Sequence, residues 1–193
     1  MHKFSQLIFL VFFVLKMNAN DIDTSAFITN QQQIEKITSE VIAASFPDLK
    51  NAKFQFKEMH QKGYFFQTSS NLKKKTSSKR IYTIKINPEI YKLNCPMYAL
   101  KAVIAHELCH AQDFYDKSVM YVVRQVVFHK SKYERSTDKC AIARDYGTGL
   151  IAYKNWIYKQ LTPKQLAKKK KLYLTPEEVV EEIKRFRNTD SDD

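Results

Sequence analysis

Residues 106–110 read His-Glu-Leu-Cys-His, and that spacing leaves the chain around it little conformational choice. On an α-helix, positions i and i+4 lie one above the other on a single face. His106 and His110 then present two imidazoles to one point, whereas an extended chain would hold them about 13 Å apart. Leu100, Val103, Ile104 and Leu108 supply an apolar surface on the same stretch. That pattern predicts a helix over about Met97 to Tyr115, starting after Pro96.

Two imidazoles one turn apart can hold a zinc ion. Glu107 stands one step round the same helix. It is the candidate general base, able to take a proton from a water whose pKa the metal lowers to about 7 and to pass it to a leaving amine. A tetrahedral catalytic zinc also needs a third protein ligand and an open position. Downstream, Glu134-Arg135-Ser136-Thr137-Asp138 carries two carboxylates that share a helix face. Glu134 is the candidate third ligand, and Asp138 the candidate acceptor for the free ring N–H of His106. Alternatives stay open here. Asp113, three residues after His110, falls roughly on the metal face and could replace Glu134 as ligand or support it. Ser131-Lys132-Tyr133-Glu134 fits a capping box, which would make Glu134 a helix cap. The plainest reading is two ordinary histidines on a core helix.

The pair of motifs, HELCH and then ExxxD, resembles the gluzincin branch of the zinc metallopeptidases, over His106 to Asp138. The stretch from Tyr133 to Trp156 is also similar to small uncharacterised bacterial secreted HExxH proteins. The gluzincin resemblance implies His106, His110 and Glu134 as zinc ligands, Glu107 as base and Asp138 behind the ligands. It implies a minimal zincin-like α+β domain: an N-terminal helix, a small antiparallel sheet, the HExxH helix, a glutamate helix and further C-terminal helices. In that core an edge strand pairs with an extended substrate, and Ile81 to Ile86 is the candidate. The metzincin extension is absent, with Asp113 and Asp116 standing where its glycine and third histidine would fall. No motif identifies an oxyanion-stabilising group; His129, Tyr133, Arg144 and Tyr146 are the candidates.

The rest of the chain fits a helix-rich domain. Only three Gly and five Pro occur in 193 residues, too few for a many-turned all-β design. Asn30, with Gln33 three residues on, predicts the start of a helix carrying Ile34, Ile37, Val41 and Ile42 and ending at Pro47-Asp48. Phe54 and Phe56, Tyr64 to Thr68, and Ile81 to Ile86 alternate as short strands. A second helical region spans Met120 to Tyr146, bent between His129 and Ser131, with Gly147 and Gly149 expected past its end. Thr162-Pro163 and Thr175-Pro176 each read as the start of a closing helix, with Gln165 and Glu178 completing capping boxes.

The N-terminus sets the expected compartment. Lys3 precedes an unbroken apolar run from Leu7 to Leu15, closed by Lys16. The run is too short to cross about 30 Å of hydrocarbon and fits a signal peptide over residues 1–19, cleaved near Ala19. An uncleaved anchor is the rival reading. Residues 20–193 would then act as a single secreted or periplasmic domain, where disulfides persist. Cys95, Cys109 and Cys140 allow one bridge and one free thiol; a Cys95–Cys140 bridge would tie the HExxH helix to the glutamate helix.

A net charge of +12 favours anionic partners. The lysines sit in Lys73–Lys75 and Lys168–Lys171, without the interleaved aromatics of a nucleic-acid surface, so no nucleic-acid partner is expected. The expected partner is a peptide or protein substrate. The alternative is a non-catalytic basic protein on the same fold, binding an anionic wall polymer, lipid or acidic protein through those lysines. Zinc hydrolysis of a non-peptide amide is a third reading.

Overall fold

A computed structural model describes residues 28–71 and 80–189. The signal-like segment, the Lys73–Lys75 tip and residues 190–193 lie outside the described residues.

Chain chemistry sets the element order. Helix α1 (Gln31–Ser45) opens where Asn30 Oδ1 accepts the Gln33 N–H at 3.1 Å, and it buries Ile34, Ile37, Val41 and Ile42. A short 3₁₀ turn at Pro47–Leu49 leads to β1 (Lys53–Glu58). Strands β2 (Phe66–Ser70) and β3 (Ile81–Ile86) follow, then α2 (Met97–Asp116). Helix α3 (Val119–Phe128) breaks at His129, and α4 (Lys130–Ala141) resumes at once, as the sequence predicts. After a π-type turn at Ile142–Tyr146 come α5 (Gly147–Tyr158), α6 (Pro163–Leu172) and α7 (Pro176–Thr189). Both Thr-Pro starts carry their capping boxes: Thr162 with Gln165, and Thr175 with Glu178. The class is α+β. Among the described residues no helix is long and apolar enough to cross a membrane.

The sheet departs from the antiparallel expectation. Its order is β1-β3-β2, with β1 parallel to β3 and β2 antiparallel to it. Alternation marks which side chains face a core but carries no strand direction. Burial explains the order. Tyr82, Thr83 and Ile84 are buried in succession, so both faces of β3 are covered and it takes the centre. Ile81 to Ile86 is therefore not an edge strand. The edge beside α2 is β2.

Helix α2 is the spine of the core. Ala99, Leu100, Ala102, Ile104, Ala105, Leu108 and Ala111 are completely covered. The small residues let neighbours approach closely. Gly149 of α5 lies so near that a Cβ there would stand 2.6 Å from both Ala102 Cβ and the Tyr98 carbonyl oxygen. Gly147 and Gly149 thus sit inside α5 instead of ending the preceding helix. The left-handed residue at that junction is Asp145, at φ 68°.

The disulfide is Cys109–Cys140, with Cα atoms 6.2 Å apart, and not Cys95–Cys140. Cys95 precedes the first turn of α2, about 20 Å along the axis from Cys109 at 1.5 Å per residue. Cys140, near the end of α4, meets the middle of α2. Cys95 remains a buried thiol, pushed up to about 12 by burial.

Candidate metal centre and its cleft

Helices α2 and α4 bring the two sequence motifs face to face. His106 Nε2 lies 3.4 Å from Glu134 Oε2, and His110 Nε2 lies 3.3 Å from the same oxygen. The two rings stand nearly perpendicular, 4.9 Å apart between centroids. Two donors each 2.0–2.1 Å from a tetrahedral zinc are about 3.3–3.4 Å apart, so the oxygen-to-nitrogen separations fit such an ion. His106, His110 and Glu134 are the residues that could hold a metal; among the described residues no other such group of three or more occurs.

The surroundings set which ring nitrogen is free. His106 Nδ1 is 2.9 Å from Asp138 Oδ1. A proton on Nδ1 serves that bond and leaves the Nε2 lone pair facing Glu134. On His110, Nδ1 is 3.4 Å from Thr137 Oγ1. The Thr137 hydroxyl donates to the Tyr133 carbonyl at 3.0 Å, so it can accept from His110 and orient that ring in the same way. Burial works against the Glu134 charge, but the two imidazoles outweigh it and hold the carboxyl far below the usual range.

Asp138 is almost wholly buried, and its second oxygen is doubly satisfied. Lys154 Nζ and the Leu174 backbone N–H each donate to Oδ2 at 2.9 Å. Burial disfavours its charge; Lys154 and His106 prevail and hold Asp138 down to about 2. Helix α5 and the α6–α7 junction thus brace the candidate ligand His106 from behind, through Asp138.

Glu107 is also buried, and its Oε2 has no hydrogen-bond partner among the described residues. It lines both lobes of a cleft beside the three ligand candidates, with spaces of about 530 and 660 Å³. The inner lobe is apolar, walled by Phe65, Phe66, Val103, Tyr153 and Ile157. The outer lobe runs past His110 and Glu134 along Phe66, Gln67 and Thr68 of β2. Tyr173 borders both.

The alternatives left by the sequence separate here. Asp113 turns to Lys117, 2.6 Å away, and is not among the three converging side chains. Glu134 caps no helix: α4 starts at Lys130, and Ser131 Oγ donates to the Lys171 carbonyl. Of the four oxyanion candidates, Tyr133 alone lines the cleft, its ring 5.0 Å from that of His110. Burial first, and then the Asp113 carboxylate, raise its phenol. Arg144 is occupied by Ser45, Cys140 and the Phe46 ring, Tyr146 by Ser45, and His129 is exposed.

Sequence reading did not find Lys154, Tyr173 or Lys169. Lys154 and Tyr173 belong to no motif. Lys169 lies inside a lysine run that reads as a solvated face, whereas its ammonium lies 4.0 Å from the Tyr64 ring centroid and 4.7 Å from that of Tyr173. Comparison with protein-family models, with curated proteins and with solved structures found no match.

Proposed function

We propose that this chain is a zinc-dependent peptidase of the zincin type, secreted or periplasmic. One observation carries the reading: His106 Nε2, His110 Nε2 and Glu134 Oε2 converge beside a buried Glu107 carboxylate oxygen that has no partner among the described residues. An unpaired buried acceptor is costly unless something in the working site uses it. Zinc held by those three side chains would supply a Lewis acid that polarises a carbonyl and makes water acidic near neutral pH.

The residues of the chain do the rest. Glu107 takes a proton from the attacking water and hands it to the departing amine nitrogen as the peptide bond breaks. Asp138 and Thr137 hold the two imidazoles with their Nε2 atoms toward the cleft. Tyr133, which lines the outer lobe, is the proposed donor to the oxygen of the attacked carbonyl. Among the described residues no strand pairs with the outer edge of β2, which offers main-chain groups to an extended peptide running along the outer lobe. The Cys109–Cys140 bridge and the Leu7–Leu15 run support an oxidising compartment.

The test is Glu107→Gln, which keeps shape and removes the base. The variant should retain zinc while hydrolysis of a mixed peptide library falls by at least about 100-fold. A variant that hydrolyses peptides at the full rate would remove the mechanism.

A further inference from the structure

Helix α6 sends one lysine into the cleft. Exposed Lys168, Lys170 and Lys171 face outward, while Lys169 lines the inner lobe beside His106 and Glu107. Its ammonium is held between the rings of Tyr64 and Tyr173, which supply cation–π attraction and no counter-charge. Among the described residues it has no carboxylate partner, whereas Lys154 in the same lobe is committed to Asp138. Burial pushes the Lys169 ammonium down to about 8, against the pull of the Glu134 carboxylate. A half-buried cation without an anion leaves binding energy unused until an anion arrives. The nearby carboxylates do not fill that role: in the reading above, Glu134 is taken up by a metal and Glu107 by the reacting water.

We infer that Lys169 is the recognition group of the cleft and receives a carboxylate of the substrate. The substrate class is a peptide whose carboxylate follows an apolar residue seated against Phe65, Phe66 and Val103. That carboxylate is either the chain terminus or an acidic side chain. The inference rests on that reading, which gives Glu134 and Glu107 other partners; its consequence in binding is measured apart from its consequence in turnover.

The experiment separates the two. Three acetyl-capped peptides of Ala, Phe and Leu are compared: one with a free C-terminal carboxylate, one amidated, and one amidated with a single Glu introduced. Binding is measured by calorimetry on the zinc-loaded Glu107→Gln protein, and kcat/KM on the zinc-loaded unmodified protein. At least one carboxylate peptide should bind roughly 10- to 100-fold more tightly than the neutral one, the range for a lost charge-assisted hydrogen bond. Which of the two does so identifies terminus or side chain. Lys169→Met should abolish the preference without weakening the neutral peptide, and Lys169→Arg should keep most of it. Equal binding of all three peptides would overturn the inference, and so would a Lys169→Met variant that slows all of them alike. A binding preference without any hydrolysis would leave Lys169 as the anion site and overturn the peptidase reading instead.

Discussion

His106 and Asp138 stand 2.9 Å apart across the α2–α4 interface, the imidazole Nδ1 against a carboxylate that is itself almost fully buried. The pair joins the two motifs through the back of the site, leaving Nε2 of His106 toward the cleft. Asp138 keeps its charge there because Lys154 and the Leu174 N–H supply donors to its other oxygen. The orientation of a candidate metal ligand therefore depends on helix α5 and on the α6–α7 junction as well as on α4.

Lys154→Met should expose that dependence. It leaves the buried Asp138 charge without its ammonium, a loss of about 3–5 kcal/mol for a buried pair broken on one side. Urea unfolding of the metal-free variant should show a correspondingly lower midpoint, and its zinc affinity should drop by about 10- to 100-fold. Unchanged stability and zinc affinity would mean that the Lys154–Asp138 contact braces nothing.

The Cys109–Cys140 bridge closes a loop with a sequence separation of 31. On a chain-entropy basis a loop of that size contributes about 3–4 kcal/mol. Cys109→Ala with Cys140→Ala should lower stability by roughly that amount in denaturant unfolding. Alkylation of the unfolded, unreduced wild type should label Cys95 alone. Labelling of Cys109 or Cys140 in its place would contradict the pairing.

Gly149 tests the packing that positions α2. Alanine normally gains up to about 1 kcal/mol over glycine inside a helix. Here its Cβ would meet Ala102 Cβ and the Tyr98 carbonyl oxygen at 2.6 Å, and the backbone oxygen cannot rotate away. Overpacking of this kind costs about 1–3 kcal/mol. Gly149→Ala should therefore lower the thermal midpoint. A raised midpoint would show that α5 can move off α2 freely.

Much of the site is legible in the sequence because its geometry is local. The i, i+4 spacings of His106 with His110 and of Glu134 with Asp138 put each pair on one helix face, and the break at His129 is visible as well. The capping boxes at Thr162 and Thr175 are similarly short-range. What the sequence does not carry is what distant elements bring together. Strand direction is absent from the alternation of Tyr82, Ile84 and Ile86, so the parallel pairing with β1 and the central place of β3 go unread. Cys109 has no sequence signal favouring Cys140 over a free thiol. Lys169 looks like its neighbours in the run, because the Tyr64 ring that closes over it opposite Tyr173 comes from a distant part of the chain. Gly147 and Gly149 read as a helix end, since a glycine needed for close helix packing has the same letter as one needed for a turn.

The most direct test of the central claim is the zinc content of the purified chain. One zinc ion per chain is predicted, lost in His110→Ala and in Glu134→Ala, and retained in Asp113→Ala. A protein that purifies and refolds without zinc and binds none on titration would contradict the account, as would zinc that survives Glu134→Ala but disappears with Asp113→Ala.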